Sequence, residues 1–327
     1  VPDGRSLFEE VLTVHPTSSR VWRAYAEAEV AGAADGTRDD EAIKALFSRC
    51  LLSCPSAELW RSYTRYMVKC NDADTEEGVQ AVKAAYEYTV DHVGEDVDAG
   101  PLWLDFVGFL KRSDPSHVCP SAKPEQAESA RMQEVRRAYR RAVSVPTNSI
   151  DALYREYDAF EHGVSPTLAK AILAEVKPKV DHIRVVLKER KKKTDHLLVG
   201  GLAGPPAPDK DERSPEGQSK LWRAYIAWEK SNPQRLELSQ PEEEEKESGG
   251  ETTIHPQLTA RVSLAHEQAL MSLVHFPDMW LELAKWHESE GRIDEAVSVL
   301  ERAREAIPGC ALLHFAAADC EETRGNV

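Results

Sequence analysis

One stretch of sequence decides the fold of this chain: Leu221-Trp222-Arg223-Ala224-Tyr225-Ile226-Ala227-Trp228-Glu229. Its aromatic side chains stand at offsets 0, 3 and 6, and a glutamate closes the pattern at offset 7. On a helix with 3.6 residues per turn, these positions share one face. The stretch therefore predicts a helix that buries a stripe of aromatic side chains.

The same pattern recurs along the whole chain. Its other copies open at Trp22, Trp60, Trp103, Tyr154, Trp280 and, in a degraded form, His314. The seven openings are separated by 38, 43, 51, 68, 58 and 34 residues. Periods of this length are typical of stacked helix pairs, in which each pair buries its apolar face against its neighbours.

A second helical run follows most of the aromatic helices. Its copies begin at Phe8, Phe47, Tyr86, Tyr139, His266 and Leu300, and three of them carry an internal arginine, Arg49, Arg141 and Arg302. Proline turns at Pro16, Pro55, Pro146, Pro277 and Pro308 come before the next aromatic opening. Because proline lacks an N–H and restricts the residue before it, it ends one helix and prepares the next. The repeat unit is helix A, turn, helix B, proline turn.

These patterns predict an all-α solenoid of about seven helix pairs, since no alternating strand pattern is present. We expect the aromatic residues of helix A to form the repeat core by packing against small residues of helix B, such as Ala142 and Ala303. The closing glutamates of helix A are expected to pair with the arginines of helix B. The predicted core residues are Trp22, Tyr25, Trp60, Tyr63, Trp103, Phe106, Tyr154, Tyr157, Trp222, Tyr225, Trp228, Trp280 and Trp286.

Insertions interrupt the repeat. A Gly/Pro-rich stretch within residues 193–219 indicates a flexible insertion. Residues 236–254 contain Glu242-Glu243-Glu244-Glu245-Lys246-Glu247 and then two glycines, a composition typical of a disordered, solvated loop. Between Ser165 and Lys193 two helical runs occur in series, and Pro178 is expected to separate or kink them.

Composition bounds the function classes. The chain has 327 residues, 41% of them hydrophobic, and a net charge of −15. That charge argues against a nucleic-acid-binding surface along the whole chain, because phosphate binding needs clustered Lys and Arg. Six irregularly spaced cysteines indicate a reducing compartment rather than a disulfide framework. No apolar run is long enough to span a membrane, and the start at Val1 is interpreted as that of a fragment.

A search for catalytic, cofactor or metal motifs finds none that is specific. The glycines at 200, 201 and 204 lack the strand, helix start and Lys-Ser/Thr of a phosphate loop. The histidines include no HExxH motif, the cysteines no CxxC pair, and the scattered carboxylates no acid/base pair. We therefore predict no catalytic residue, no cofactor and no metal, and hence no enzymatic activity.

One basic run stands out, formed by Lys188, Arg190, Lys191, Lys192 and Lys193. Three interpretations are open for it. A solvated helix end is the first, since cations suit the negative end of the helix dipole. A nuclear import signal is the second, and a contact with RNA or with an acidic partner is the third.

The helix A and helix B patterns together resemble the HAT (half-a-tetratricopeptide) repeat, whose proteins are concentrated in RNA-processing complexes. A narrower resemblance lies in the string from Leu221 to Pro233, LWRAYIAWEKSNP. It is similar to the fifth HAT motif of the family of the large scaffold subunit of cleavage stimulation factor. The acidic insertion after Pro233 departs from that family's pattern.

This resemblance implies a non-catalytic, nuclear protein-interaction scaffold for pre-mRNA 3′-end cleavage and polyadenylation. Residues 1–235 would be the amino-terminal HAT repeats, residues 236–254 an acidic insertion, and residues 255–327 the truncated start of the carboxy-terminal repeats. The expected partners are other subunits of the 3′-end processing machinery, with indirect or weak RNA contact and no membrane. The full-length protein is expected to form a homodimer through its carboxy-terminal repeats, and this chain to be monomeric or weakly self-associating.

Two other interpretations remain open. The first is a HAT-repeat pre-mRNA splicing factor, which the WEKSNP string argues against. The second is a helical solenoid that binds RNA directly. Such solenoids have a regular period near 35 residues and a repeated polar code on one helix, and neither is visible in this sequence. The identity of the partners and of the contact residues does not follow from the sequence.

Overall fold

A computed structural model describes residues 4–34, 40–206, 211–236 and 255–325. This part of the chain contains fifteen α-helices, one short 3₁₀ turn at Pro124–Gln126 and no β-strand. In chain order, helices α1 to α15 are Gly4–Val14, Ser19–Ala34, Asp40–Cys50, Ala57–Cys70, Glu76–Val93, Gly100–Arg112, Pro115–Val118, Ala127–Val143, Ile150–Val164, Pro166–Thr194, Pro215–Lys230, Pro256–Leu273, Pro277–Ser289, Ile293–Ala306 and Ala311–Arg324. The all-α prediction is confirmed.

The helices follow the repeat read from the sequence. The seven aromatic openings lie on α2, α4, α6, α9, α11, α13 and α15, which are the A helices. Helices α3, α5, α8, α10, α12 and α14 are the B helices that follow them, and α1 carries the Phe8 copy of the B pattern. The short helix α7 and the 3₁₀ turn lie between α6 and α8.

Helix starts have local causes in the sequence. Prolines occupy the first or second position of α6, α7, α11, α12 and α13, where a missing N–H costs nothing. The hydroxyls of Thr75 and Ser214 accept hydrogen bonds from the amides of Gly78 and Gly217 and so cap α5 and α11. Pro277 is thus the first residue of a helix, not a residue of the turn as the sequence had indicated.

The chain divides into two compact units. One comprises Val1–Tyr25, Leu52–Cys54 and Lys193–Val327, and is called the carboxy-terminal unit. The other, the amino-terminal unit, comprises Ala26–Leu51 and Pro55–Lys192. The domain bounds expected from the family resemblance remain a prediction.

In the carboxy-terminal unit, helices α11 to α15 pack in sequence, each onto the next. Trp222, Tyr225, Trp280 and Leu283 from the A helices meet the buried faces of α12 and α14 in one hydrophobic cluster. Helix α12 is buried along most of its length, since α11 and α13 both pack against it. Burial of these apolar side chains stabilises the stack by about 25 cal/mol for each Å² removed from water.

In the amino-terminal unit, rings of successive helices stack on each other. The aromatic residue that opens the B sequence pattern packs against the offset-3 ring of the next A helix: Phe47 with Tyr63, Tyr86 with Phe106 and Tyr139 with Tyr157, with ring centroids 5.4, 5.2 and 5.3 Å apart. Phe8 and Tyr25 of the carboxy-terminal unit form the same contact at 4.8 Å. Ring pairs at these distances stabilise the fold beyond what the burial of the two rings contributes. The B helices therefore contribute rings as well as small residues to the core.

Two segments differ from the sequence expectation. Helix α10 runs unbroken for 29 residues with Pro178 inside it, so the two expected runs are one helix. The expected flexible insertion at 193–219 is partly packed: Leu197 and Ala203 are buried in the core of the carboxy-terminal unit. The side-chain amide of Gln218 also donates to the carbonyl of His196 and accepts from the amide of Leu198.

The acidic run at 242–247 lies outside the described residues. Among the residues that are described, no helix has the length and apolarity needed to cross a membrane.

Candidate functional site

In four of the seven A helices, the tryptophan that opens the aromatic pattern carries out two tasks. Its ring fills the core, and its indole N–H donates to a backbone carbonyl in the turn that precedes the helix. The Nε1 to O distances are 2.7 Å for Trp22 with Pro16, 3.1 Å for Trp60 with Leu51, 3.0 Å for Trp103 with Gly94 and 2.8 Å for Trp280 with Val274. These bonds satisfy carbonyls at the end of the preceding B helix, which have no partner within the helix itself.

His314 takes the same place in the degraded seventh repeat. Its Nε2 lies 3.0 Å from the carbonyl oxygen of Pro308, six residues earlier, which is also the separation of Trp22 from Pro16 and of Trp280 from Val274. A ring N–H in this position preserves the tie to the turn. The structure thus explains why histidine stands where six repeats have Trp or Tyr.

The arginines of the B helices lie over these rings. The guanidinium carbon of Arg141 is 5.3 Å from the centroid of Trp103, that of Arg184 is 5.6 Å from Tyr154, and that of Arg302 is 5.4 Å from Trp280. Each distance is within the range of a cation–π contact. The contact recurs in three repeats, so it is part of the repeat.

The ion pairs of these arginines correct the expected pairing. Arg302 binds both oxygens of Glu267 on the preceding B helix at 2.7 and 2.8 Å. Arg141 likewise binds Glu87 on the preceding B helix at 2.7 Å. The glutamate that closes helix A, Glu161, pairs instead with Arg136 at 2.6 Å. Arg141 and Arg302 therefore pair with the preceding B helix, whereas Glu161 of the A helix α9 pairs with a different arginine of the B helix α8.

The predicted core residues differ in burial. Ten of them are buried: Trp22, Tyr25, Trp60, Trp103, Phe106, Tyr157, Trp222, Tyr225, Trp280 and Trp286. Tyr63, Tyr154 and Trp228 are half-buried at the margin of the stripe. Trp228 packs on the cluster of the carboxy-terminal unit and stacks on Tyr225, with ring centroids 6.1 Å apart. Each of the thirteen lies on an A helix.

The WEKSNP string contains a buried polar contact, which we call the clasp. Glu229 accepts a hydrogen bond of 2.8 Å from the hydroxyl of Tyr225 and faces Arg261 of α12, with 3.9 Å between nitrogen and oxygen. Both charged side chains have 0% exposure. Arg261 also donates to the side-chain oxygen of Gln234 at 2.7 Å. The clasp comprises Glu229, Gln234 and Arg261.

Asn232 gives the string its turn. Its φ of 54° lies in the left-handed region, which asparagine tolerates better than most residues. Its side chain accepts from the amide of Leu236 and donates to the carbonyl of the same residue, both at 2.9 Å. The specific part of the string therefore ends α11 and directs Gln234 back towards Arg261.

The basic run is not one surface. Lys188, Lys191, Lys192 and Lys193 are exposed at the end of α10. Arg190 is only 3% exposed, and its guanidinium donates to the carbonyls of Glu95 and Pro146 at 3.0 and 3.3 Å. Arg190 therefore lies on the inner face of the helix and is not part of an exposed contact patch. The exposed residues of the predicted patch are the four lysines.

No metal-binding cluster is assembled in the described part of the chain, and the Cys50 thiol is buried. No three side chains among its His, Cys, Asp and Glu residues come together in a way that could hold a metal ion. Burial raises the pKa of the Cys50 thiol to about 12, which keeps it protonated and unreactive near neutral pH. The polar groups with defined partners serve mainly to hold the helices in register.

Comparison with known proteins identifies the family. The sequence profile described as suppressor of forked protein (Suf) matches residues 1–327, the entire chain. The chain belongs to the suppressor of forked family. It is 34% identical over 321 residues to cleavage stimulation factor subunit 77 of Arabidopsis thaliana, an alignment that covers 98% of this chain and 39% of that protein.

Other members of the suppressor of forked family match in the same way. The mRNA 3′-end-processing protein rna14 of Aspergillus fumigatus is 31% identical, with 96% of this chain and 29% of that protein covered. The protein suppressor of forked of Drosophila melanogaster is 30% identical, with 88% and 34% covered. The chain thus spans less than half the length of these relatives.

The crystal structure of CstF-77 has the same fold. It superposes with a TM-score of 0.57 and 17% identity, covering 88% of this chain and 52% of that one. This likeness, together with the repeated A and B helices, establishes the HAT helical-repeat solenoid.

Sequence reasoning missed the two buried histidines of the suppressor of forked chain. His266 is the first residue of the B sequence pattern on α12, the position that Phe8, Phe47, Tyr86 and Tyr139 occupy in other repeats. It therefore enters an apolar slot, and neither ring nitrogen has a hydrogen-bond partner. Burial, with Lys230 and His287 nearby, lowers the pKa of His266 to about 3, and burial beside Arg292 lowers that of His287 to about 4.

The clasp predicts a strong, position-specific effect on stability. Replacing Arg261 with Met should lower the free energy of unfolding by about 3–5 kcal/mol, because Glu229 is left charged and buried. Replacing Glu229 with Leu in the same protein should restore much of the loss. Urea unfolding measures both. Arg223→Met is the matched control, since its pair with Glu282 is solvent-exposed, and it should cost less than about 1 kcal/mol.

The buried histidines predict loss of stability in acid. Their folded-state pKa values lie below the unfolded value of 6.5, so the unfolded chain binds more protons as pH falls from about 6.5 to about 4. Stability is complete above that window and declines within it, by about 2 kcal/mol per histidine at pH 5. His266→Phe should reduce the difference between urea midpoints at pH 7.5 and pH 5. His196→Gln, an exposed control, should leave that difference unchanged.

Proposed function

We propose that this chain is part of a non-catalytic protein-interaction scaffold that acts in the nucleus in pre-mRNA 3′-end cleavage and polyadenylation. The supporting observation is the match of the whole chain to the suppressor of forked family, together with relatives named for cleavage stimulation and mRNA 3′-end processing. Residues 1–235 are proposed to be the amino-terminal repeats and residues 255–327 the start of the carboxy-terminal repeats.

The use of polar side chains supports a scaffold rather than an enzyme. Arg141, Arg302, Glu161 and the clasp connect helices, and each is paired within the repeat stack. A general acid or base needs a polar group placed to reach a substrate. In this chain the ordered polar groups maintain the stack, which leaves its surfaces available to other proteins.

The proposal is tested by affinity purification of the tagged full-length protein followed by mass spectrometry. We expect subunits of the 3′-end processing machinery to be recovered in stoichiometric amounts. A clasp-disrupted protein, Arg261→Met, provides the matched control, since it should lose the partners that require a folded stack. Recovery of spliceosomal subunits in place of processing subunits would establish the splicing alternative.

A filter-binding measurement with U/GU-rich RNA addresses the direct RNA-binding alternative. The four exposed lysines of α10 are the cationic group to neutralise, by changing Lys188, Lys191, Lys192 and Lys193 to Gln. Weak binding by the original chain fits the scaffold. Tight binding that falls steeply with salt and is lost in the variant would place RNA on this helix end.

We also propose that the full-length protein forms a homodimer through its carboxy-terminal repeats. Helix α15 supports this proposal because Leu312 and Phe315 project from it into solvent, Phe315 with 74% exposure. Large exposed apolar side chains on one helix favour association with another surface.

This proposal predicts that the isolated chain associates weakly through α15. Analytical ultracentrifugation should show a sedimentation coefficient that rises with concentration in the micromolar range, and Phe315→Ser should remove that rise. Leu168→Ser, at another exposed apolar position, 61% exposed on α10, should not. A tight dimer that persists in the Phe315→Ser protein would place the contact elsewhere.

A further inference from the structure

A groove opens in the amino-terminal unit where the ends of α4, α5, α6 and α7 meet. Its volume is about 500 Å³, which is within the range of sites that bind small ligands or peptide side chains. The repeat core does not use it, and neither the clasp nor the lysines of α10 contribute to it. It is large enough to receive one or two side chains of a bound segment.

The floor of the groove is apolar. Val79, Val82 and Phe109 form it from below and are themselves buried, while Val68 at the end of α4 is 43% exposed on its side. An aliphatic side chain placed on this floor would be removed from water. Its burial would stabilise the complex by about 25 cal/mol for each Å² of apolar surface buried. The floor therefore selects Leu, Ile, Val or Met over polar side chains.

The walls of the groove are held in place. Gln80 of α5 donates to the carbonyls of His117 and Val118 in α7, at 2.5 and 3.2 Å. The carboxylate of Asp114 caps α7 by accepting from the amide of Ser116 at 2.8 Å. A groove whose walls are fixed before binding loses little entropy when it is filled.

Gly78 sets the shape of the opposite wall. A Cβ atom at this position would lie 2.0 Å from the carbonyl oxygen of Asp72, so only glycine lets the α4–α5 turn pack against the first turn of α5. This packing brings Asp74 to the rim of the groove.

The rim carries a negative balance of charge. Asp74 and Asp114 line it, and neither forms an ion pair with another residue of the described ranges. Hydrogen bonds from Ser116 lower the pKa of Asp114, so this carboxylate is ionised at neutral pH. Arg112 is the one cationic residue of the lining and cannot balance both. Glu76 and Glu77, on the first turn of α5, add to the negative potential.

We propose that this groove docks a segment of a partner protein that carries an aliphatic side chain next to Lys or Arg. The aliphatic side chain lies on the apolar floor beside Val68, and the cation lies between Asp74 and Asp114. The acidic rim excludes RNA, whose phosphates it would repel. The inference rests on the proposed scaffold function, but its test uses purified protein alone and does not depend on the process in which the scaffold acts.

A phage-displayed library of random nonapeptides, panned on the purified chain and counter-selected on the Val68→Arg protein, is the probe. Arg at position 68 covers the floor and repels a cationic peptide. Val185→Arg is the matched control, because Val185 is an exposed helical valine of the same unit that lies on α10. We expect the enriched peptides to combine an aliphatic residue with an adjacent Lys or Arg.

Fluorescence anisotropy of the enriched peptides then decides the proposal. Val68→Arg should weaken binding at least tenfold, and Val185→Arg should leave it unchanged. Replacing Asp74 and Asp114 with Asn, which keeps the α7 cap, should weaken it about fivefold for each lost charge pair at low salt. Absence of enriched peptides, or affinities equal in the two arginine variants, would refute the groove. Enrichment of acidic peptides that bind the Val68→Arg protein more tightly would refute the assigned partner chemistry.

Discussion

The structure depends on how five of the seven A helices are seated against the preceding turn, four through a tryptophan and one through His314. An indole that fills the core sets how closely the helix approaches the core. The hydrogen bond from the same indole to a carbonyl of the turn fixes the position of the helix along its axis. Ring stacking between the B helix and the next A helix then sets the position of the following repeat. Because each contact joins only neighbouring elements, the stack is maintained by a chain of local interactions, as in other repeat proteins.

Charged groups reinforce the same arrangement in two different ways. The arginines of the B helices are partly exposed, and each combines a ring contact with a carboxylate, so a single guanidinium is satisfied on its face and at its edge. Glu229 and Arg261 are completely enclosed, where an unmatched charge is costly. The partly exposed pairs connect neighbouring B helices. The enclosed pair of Glu229 and Arg261 specifies one arrangement of α11 against α12.

Much of the fold followed from the sequence, because helical periodicity and proline placement act locally. The seven aromatic openings lie on the helices that they predicted. The pairing of Arg141 and Arg302 did not follow, since it depends on which B helices are neighbours in space. A signal was present: glutamate is the second residue of the B copies at Tyr86 and His266, and arginine the third of those at Tyr139 and Leu300. The burial of Arg190 was hidden because a basic run gives no indication of which face of a long helix each residue occupies.

The contact between Gln234 and Arg261 joins residues 27 positions apart, on either side of the acidic run. Closing a loop costs entropy that grows only with the logarithm of its length. The contact that offsets this cost is made by Gln234 and Arg261, which lie outside the acidic run. The two points between which the chain must return, Gln234 just beyond the end of α11 and Arg261 on α12, are therefore held together by side chains of the repeats themselves. In this respect the clasp acts like a cross-link that closes a loop, but one made of hydrogen bonds and charge in place of a covalent bond.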